Sequence, residues 1–196
     1  MTDYEKKEFY ITTQPNYEAW AKHANVGILN LYSNYIFGNV LDVGCNHGGS
    51  ATYWVTKNPR VTSITGLDVQ EQVKPIFLNL MSSVSIPVNF IQVDFTVDIE
   101  LPTKYDTITS FHTLEHIIRE DVPSFVNNMF RNLNEGGCVI ISIPYMHHYE
   151  DPHHVVFYDE KLLTKTFTSA GFTTVECLKD DRWEMEKNLL TAVFKK

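Results

Sequence analysis

The stretch Val40-Leu41-Asp42-Val43-Gly44-Cys45-Asn46-His47-Gly48-Gly49 decides how the rest of the chain is read. Its first four residues form a short apolar run closed by a glycine, the pattern of a buried strand. Gly44 allows a tight turn where that strand ends. Gly48 and Gly49 carry no Cβ, so a ligand can approach the backbone there. A helical run through Ala51, Trp54 and Val55 follows, and its first N–H groups face the loop. A strand, a glycine-rich loop and a helix make a ligand-binding turn, although dinucleotide-binding dehydrogenases open in the same way.

Downstream the pattern repeats. Strands are expected at Val61 to Val69, Val88 to Val93, Tyr105 to Phe111 and Cys138 to Ile143. Helical periodicity separates them at Gln72 to Met81 and at Phe125, Val126, Met129, Phe130 and Leu133, with Pro123 in the first turn. Asp159 caps a further helix carrying Leu162, Leu163, Phe167 and Ala170, which Gly171 stops. Two strands, Thr173 to Leu178 and Leu189 to Lys195, have no helix between them and are expected to form an antiparallel hairpin at one edge. Alternating strands and helices predict a mostly parallel sheet. Upstream, Tyr17, Trp20, Ala21, Ala24, Ile28, Leu31, Tyr32 and Tyr35 recur at helical spacing, capped at Asn16, with Gly27 as a break point. Tyr17, Trp20 and His23 could form a lid, but an aromatic stripe of this kind is more often core.

The chain has 196 residues, enough for one domain with a substantial core. Lys and Arg number 16 and Asp and Glu 24, a formal net charge of -8 with no basic cluster. That balance argues against nucleic acid as a partner. No charged-then-apolar leader opens the sequence, and no apolar run approaches the ~18 residues that a membrane span needs. Cys45, Cys138 and Cys177 are scattered, which predicts reduced thiols in a cytoplasmic protein, neither a disulfide framework nor a zinc site.

In parallel sheets ligands sit at the carboxyl ends of the strands. The second strand ends at Asp68, twenty residues after Gly48, where a carboxylate can accept both hydroxyls of a ribose. Val69 follows it. The third ends in Asp94-Phe95, an acid for an adenine amino group and a ring to pack on the base, although Asp also caps turns. The fourth gives Phe111-His112-Thr113-Leu114-Glu115-His116.

Over about residues 38 to 196 the chain resembles the class I S-adenosylmethionine-dependent methyltransferases. Val40 to Cys45 is similar to their first motif, Asp68 to their ribose acid and Asp94 to their adenine-side acid. Tyr105-Asp106 with His112 to His116 is similar to the fourth motif of the small-molecule branch. Leu133-Asn134-Glu135-Gly136-Gly137 and Ala170-Gly171-Phe172 resemble the turns before the fifth and sixth strands. The resemblance implies a doubly wound, Rossmann-like α/β fold. Its seven-stranded sheet would be mostly parallel with an antiparallel last strand, and helices would cover both faces. Residues 1–196 would form a single domain, 1–37 a tail and helical cap and 38–196 the cofactor-binding core. The cofactor would be S-adenosylmethionine, leaving as S-adenosylhomocysteine. Asp42, Gly44, Cys45, Asn46, His47 and Gly48 would hold its methionine end. Asp68, Val69, Asp94 and Phe95 would hold the nucleoside, and Phe111 and His112 would wall the sulfonium.

In one place the chain departs from that family. Its first loop is usually Gly-x-Gly-x-Gly, and here the middle glycine is Asn46. Asn tolerates positive φ better than most residues, so the loop survives if Asn46 adopts it. The implied reaction is in-line methyl transfer to a small-molecule acceptor by a monomer or homodimer, with neither membrane nor nucleic acid as partner. A base would suit a hydroxyl acceptor, and histidine titrates in the right range. His112 and His147 are the candidates, and Tyr145 and Tyr149 are candidate substrate contacts in a long connection. Three rival readings stand beside this one. His112-x-x-Glu115-His116 fits an inverted zinc-protease signature, with more histidines at 147, 148, 153 and 154. A nicotinamide dehydrogenase would want a different glycine spacing. A non-catalytic domain would keep the fold alone. The methyltransferase pattern accounts for the segment without a metal.

Overall fold

The computed structural model describes residues 25–49, 51–146, 153–180 and 188–196. The stretch holding Tyr17, Trp20 and His23, and the one holding His147, His148 and Tyr149, lie outside the described residues. The apolar runs become β1 (Gly38–Val43), β2 (Val61–Asp68), β3 (Val88–Gln92), β4 (Tyr105–Phe111), β5 (Leu133–Pro144), β6 (Thr173–Asp180) and β7 (Leu189–Lys195). They form one seven-stranded sheet in the order β3-β2-β1-β4-β5-β7-β6. The pairs among β1 to β5 are parallel, while β7 runs antiparallel to both β5 and β6. The expected hairpin is therefore present, but its second strand lies inside the sheet and its first forms the edge.

Both faces of the sheet are apolar, and successive residues serve opposite layers. Val139, Ile141, Ile143, Leu190, Ala192 and Phe194 face one core, and Ile140, Leu189 and Val193 face another. Two amphipathic helices, α4 (Val122–Asn132) and α5 (Glu160–Ser169), cover the first face. The second lies under α1 (residues 25–31) and α2 (Thr52–Val55), with Ile28, Leu29, Tyr32 and Ile36 buried. Gly27 does not break α1. Beyond them α3 (Lys74–Met81) packs Phe77 and Met81 against Cys45 and Phe90. The cap at Asp159 is made as expected, its Oδ1 accepting from Leu162 N–H at 2.7 Å.

Two elements differ from the sequence reading. Leu133 to Gly137 is not a free turn. It enters β5 through a bulge, since Tyr105 pairs with Leu133 while Thr107 pairs with Cys138. The helix after the glycine loop, α2, has only four residues, too few for the expected array of N–H groups. Among the described residues no helix is long and apolar enough to cross a membrane.

Candidate active site

In this strand order the sheet reverses direction of growth between β1 and β4, which opens a crevice at their carboxyl ends. The backbone marks the same edge. Among the described residues, the non-glycine residues with positive φ are Asn46 at 49°, His112 at 54° and Met146 at 50°. They follow β1, β4 and β5, three neighbouring parallel strands. Strained residues persist where surrounding structure holds them, and they gather at functional sites. Asn46 thus takes the conformation that the missing glycine would have supplied.

The loop after β1 hangs on β2. Gly44 N–H and Cys45 N–H both donate to Leu67 O, at 2.8 and 3.1 Å. Asn46 N–H then donates to Asp68 Oδ2 at 2.8 Å, and Gln70 N–H to Oδ1 at 3.0 Å. Burial raises the Asp68 carboxyl above its usual range, against the pull of those N–H groups. Val69 N–H pulls the same way, and with about four acceptor sites on a carboxylate, capacity remains for a ribose hydroxyl. Val69 beside it is 45% exposed, an apolar surface that a nucleobase can cover.

Asp42 sits deeper. Thr52 Oγ1 donates to its Oδ2 at 2.5 Å and Thr109 Oγ1 to its Oδ1 at 2.8 Å, tying β1 to α2 and β4. Burial, partly offset by these two hydroxyls, raises its carboxyl from 3.8 to about 6. The folded protein therefore holds this proton more tightly than the unfolded chain does. The stabilisation is complete below about pH 4 and is lost as pH rises through about 6, on the order of 3 kcal/mol at ~1.4 kcal/mol per unit. Denaturant unfolding of wild type and Asp42→Asn from pH 4 to 7 should show the variant gaining on wild type as pH rises. A difference independent of pH would refute the penalty.

On the far side of the crevice, His112 is buried, and its N–H donates to Ser142 O at 2.8 Å. Its Nδ1 stands 3.7 Å from Oε1 of the equally buried Glu115. Burial alone would raise Glu115, but the histidines at 112 and 116 outweigh it and hold the carboxyl below its ordinary value.

A family model described as a methyltransferase domain matches residues 17–177. The chain belongs to the methyltransferase domain family. No curated protein matches it. Among solved structures it is similar to an S-adenosylmethionine-dependent methyltransferase from Clostridium acetobutylicum ATCC 824, at 16% identity over 96% of each chain with TM-score 0.70. It is also similar to the N-methyltransferase NodS from Bradyrhizobium japonicum WM9 in complex with S-adenosyl-L-homocysteine. There the identity is 17%, over 94% of this chain and 90% of that one, with TM-score 0.71. The (4+2)-cyclase SpnF matches at 15% identity, over 87% and 80% of the two chains, with TM-score 0.72. At these identities the likeness carries the fold alone.

Within this methyltransferase fold the expected residues separate. Asn46, Asp68, Val69 and His112 converge on the crevice. Gly44 has φ 75°, and a Cβ there would strike Thr113. Gly48 serves packing, not ligand approach, since a Cβ would stand 2.8 Å from Met81 Cε and 2.9 Å from Phe77. Cys45 turns its side chain into the same cluster, where burial pushes the thiol well above its usual value. His47 is buried beside it, its N–H donating to Asn46 Oδ1 at 2.8 Å. Asp94 Oδ1 accepts from Thr96 N and Oγ1 at 2.9 and 2.6 Å, the turn-capping role. Phe95 is a core residue, edge-on to Phe125 at 5.7 Å, and Phe111 belongs to the core under α1. Sequence reasoning missed Thr52, Thr109 and Gln70, because nothing local pairs them with Asp42 or Asp68. A cleft of about 360 Å³ between α4 and α5 contains none of the expected cofactor residues.

Proposed function

We propose that this protein is an S-adenosylmethionine-dependent methyltransferase acting on a small-molecule acceptor. The observation that carries the reading is Asp68, a buried carboxylate at the end of β2 that grips the Asn46 loop and keeps acceptor capacity for a ribose. The cofactor supplies a methyl group on a sulfonium, activated for in-line transfer. Asp68 would hold the ribose and Val69 the base. The loop from Gly44 to His47, with Asp42 bracing it from below, would hold the methionine end. His112 would accept the proton that an acceptor hydroxyl releases, and Glu115 at 3.7 Å would steady the resulting imidazolium. The net charge of -8 supports a small acceptor over nucleic acid.

The departure at position 46 does not favour a non-catalytic domain, because Asn46 adopts the positive φ required. Asn46→Gly should leave S-adenosylhomocysteine affinity within about threefold. Asn46→Val should weaken it at least ~10-fold, since a left-handed residue costs ~1–2 kcal/mol even before β-branching. Calorimetric titration checks both. The function itself is tested by titrating S-adenosylmethionine into purified, folded protein and following methyl transfer from labelled cofactor to a panel of small hydroxyl and amine acceptors. Micromolar binding with transfer is expected, and absence of binding would overturn the reading.

A further inference from the structure

Below the exit of β4 lies a cluster from which the methyltransferase reading draws only the contact of Glu115 with His112. Glu115 is 3% exposed, and neither carboxylate oxygen has a hydrogen-bond partner among the described residues. His112 Nδ1 at 3.7 Å and His116 Nε2 at 4.0 Å both stand beyond hydrogen-bond reach of Oε1. Buried carboxylates are normally paired, hydrogen-bonded or bound to a metal.

His116 is prepared as a ligand. Its Nδ1 lies 3.0 Å from the carbonyl oxygen of His153. A carbonyl only accepts, so Nδ1 carries a proton, and in the neutral form the lone pair lies on Nε2, the atom turned toward Glu115. Metal-binding histidines are commonly oriented by such a bond to a backbone carbonyl. The ring of His154 packs against His116 at 4.9 Å. Backbone bonds hold this segment in place, with Val155 N–H and Val156 N–H both donating to Glu115 O at 2.9 and 3.2 Å. One donor atom from each of Glu115, His116 and His154 lies within 4.8 Å of the others.

We propose that Glu115, His116 and His154 bind a divalent first-row transition metal such as zinc, and that its open position takes an oxygen of the acceptor. The acceptor clause rests on the methyltransferase reading; metal binding does not. Two imidazoles and one carboxylate suit zinc and its neighbours, whereas magnesium and calcium take oxygen donors. Three protein ligands leave a coordination position for water or substrate. Donors at ~2.0–2.2 Å around a tetrahedral ion stand ~3.4 Å apart, so binding would draw the cluster in by about an ångström. This is not the inverted zinc-protease arrangement considered from the sequence. Residues 114–116 form a 3-10 turn, and the second histidine comes from position 154, not 112.

The test is titration of cobalt(II) into metal-free protein, read by visible absorption, with S-adenosylhomocysteine binding and thermal midpoint measured on the same samples. We expect one equivalent bound to wild type and to Cys177→Ala. Glu115→Gln and His154→Ala should bind at least ~100-fold more weakly, beyond the ~10- to 100-fold that outer partners cost. His154 is only half-buried, so that variant keeps the test sound if Glu115→Gln fails to fold. Binding unchanged in both variants, or no binding by wild type that still takes S-adenosylhomocysteine, would overturn the site. Failure of S-adenosylhomocysteine alone would instead count against the methyltransferase reading.

Discussion

Asp68→Ala is expected to weaken S-adenosylhomocysteine binding by ~100-fold or more while leaving the protein folded. A ribose hydrogen bond to a carboxylate is lost, itself worth ~1.5–3 kcal/mol, or roughly 10- to 100-fold. The same change strips the acceptor from Asn46 N–H and Gln70 N–H, so the loop loses its anchor as well. Stability should move less than affinity, because burial already penalises this carboxylate and its removal relieves that cost. Asp68→Asn keeps the volume and one acceptor oxygen and should fall between, at roughly tenfold. Calorimetric titration alongside thermal melting separates the two effects. Wild-type affinity in Asp68→Ala would remove the residue on which the cofactor assignment rests.

Phe167→Ala should act in the opposite sense, costing stability and sparing the site. Phe167 is fully buried on α5, and its ring stacks on Phe194 of β7 at 4.1 Å with the planes 2° apart. Phe172 lies 5.5 Å from Phe167 and carries the array on to Phe130 at 5.0 Å. Truncating a buried phenylalanine costs ~3–5 kcal/mol, and lost ring contacts add ~0.5–1.5 kcal/mol. At ~2–4 °C per kcal/mol for a chain of this size, the melting midpoint should drop by roughly 7–26 °C. Below that midpoint S-adenosylhomocysteine affinity should match wild type, since none of these rings lies among the residues facing the crevice. A shift under ~2 °C would mean that the pocket collapses around the loss.

Local pattern carried the architecture well. Alternation placed β4 and β7 at their observed bounds, and the Asp159 cap is the one the sequence announced. Long-range partnership was hidden. Asp42 meets Thr52 and Thr109, ten and 67 residues away, and only the register of β1 against β4 brings the second into reach. The glycine loop misled in an instructive way. A glycine is required wherever a Cβ would collide, and at Gly48 the collision is with Phe77 and Met81 of α3, not with a ligand. The histidines at 112, 116 and 154 were visible as a group, but a pattern of residue types could not tell which faces the Glu115 carboxylate. Backbone bonds from Val155 and Val156 settle that, and they have no sequence signature.

The position of β7 between β5 and β6 bears on how the molecule is made. On a ribosome β5 emerges first and β6 next, and the strand that separates them comes last. Until residues 189–195 are available, the apolar edge of β5 has no partner on that side. An unpaired hydrophobic edge invites β6 to dock in its place or a second nascent chain to pair with it. Phe194, against which Phe167 of α5 and Phe172 pack, arrives only then, so synthesis order leaves β6 without its place in the sheet until β7 appears.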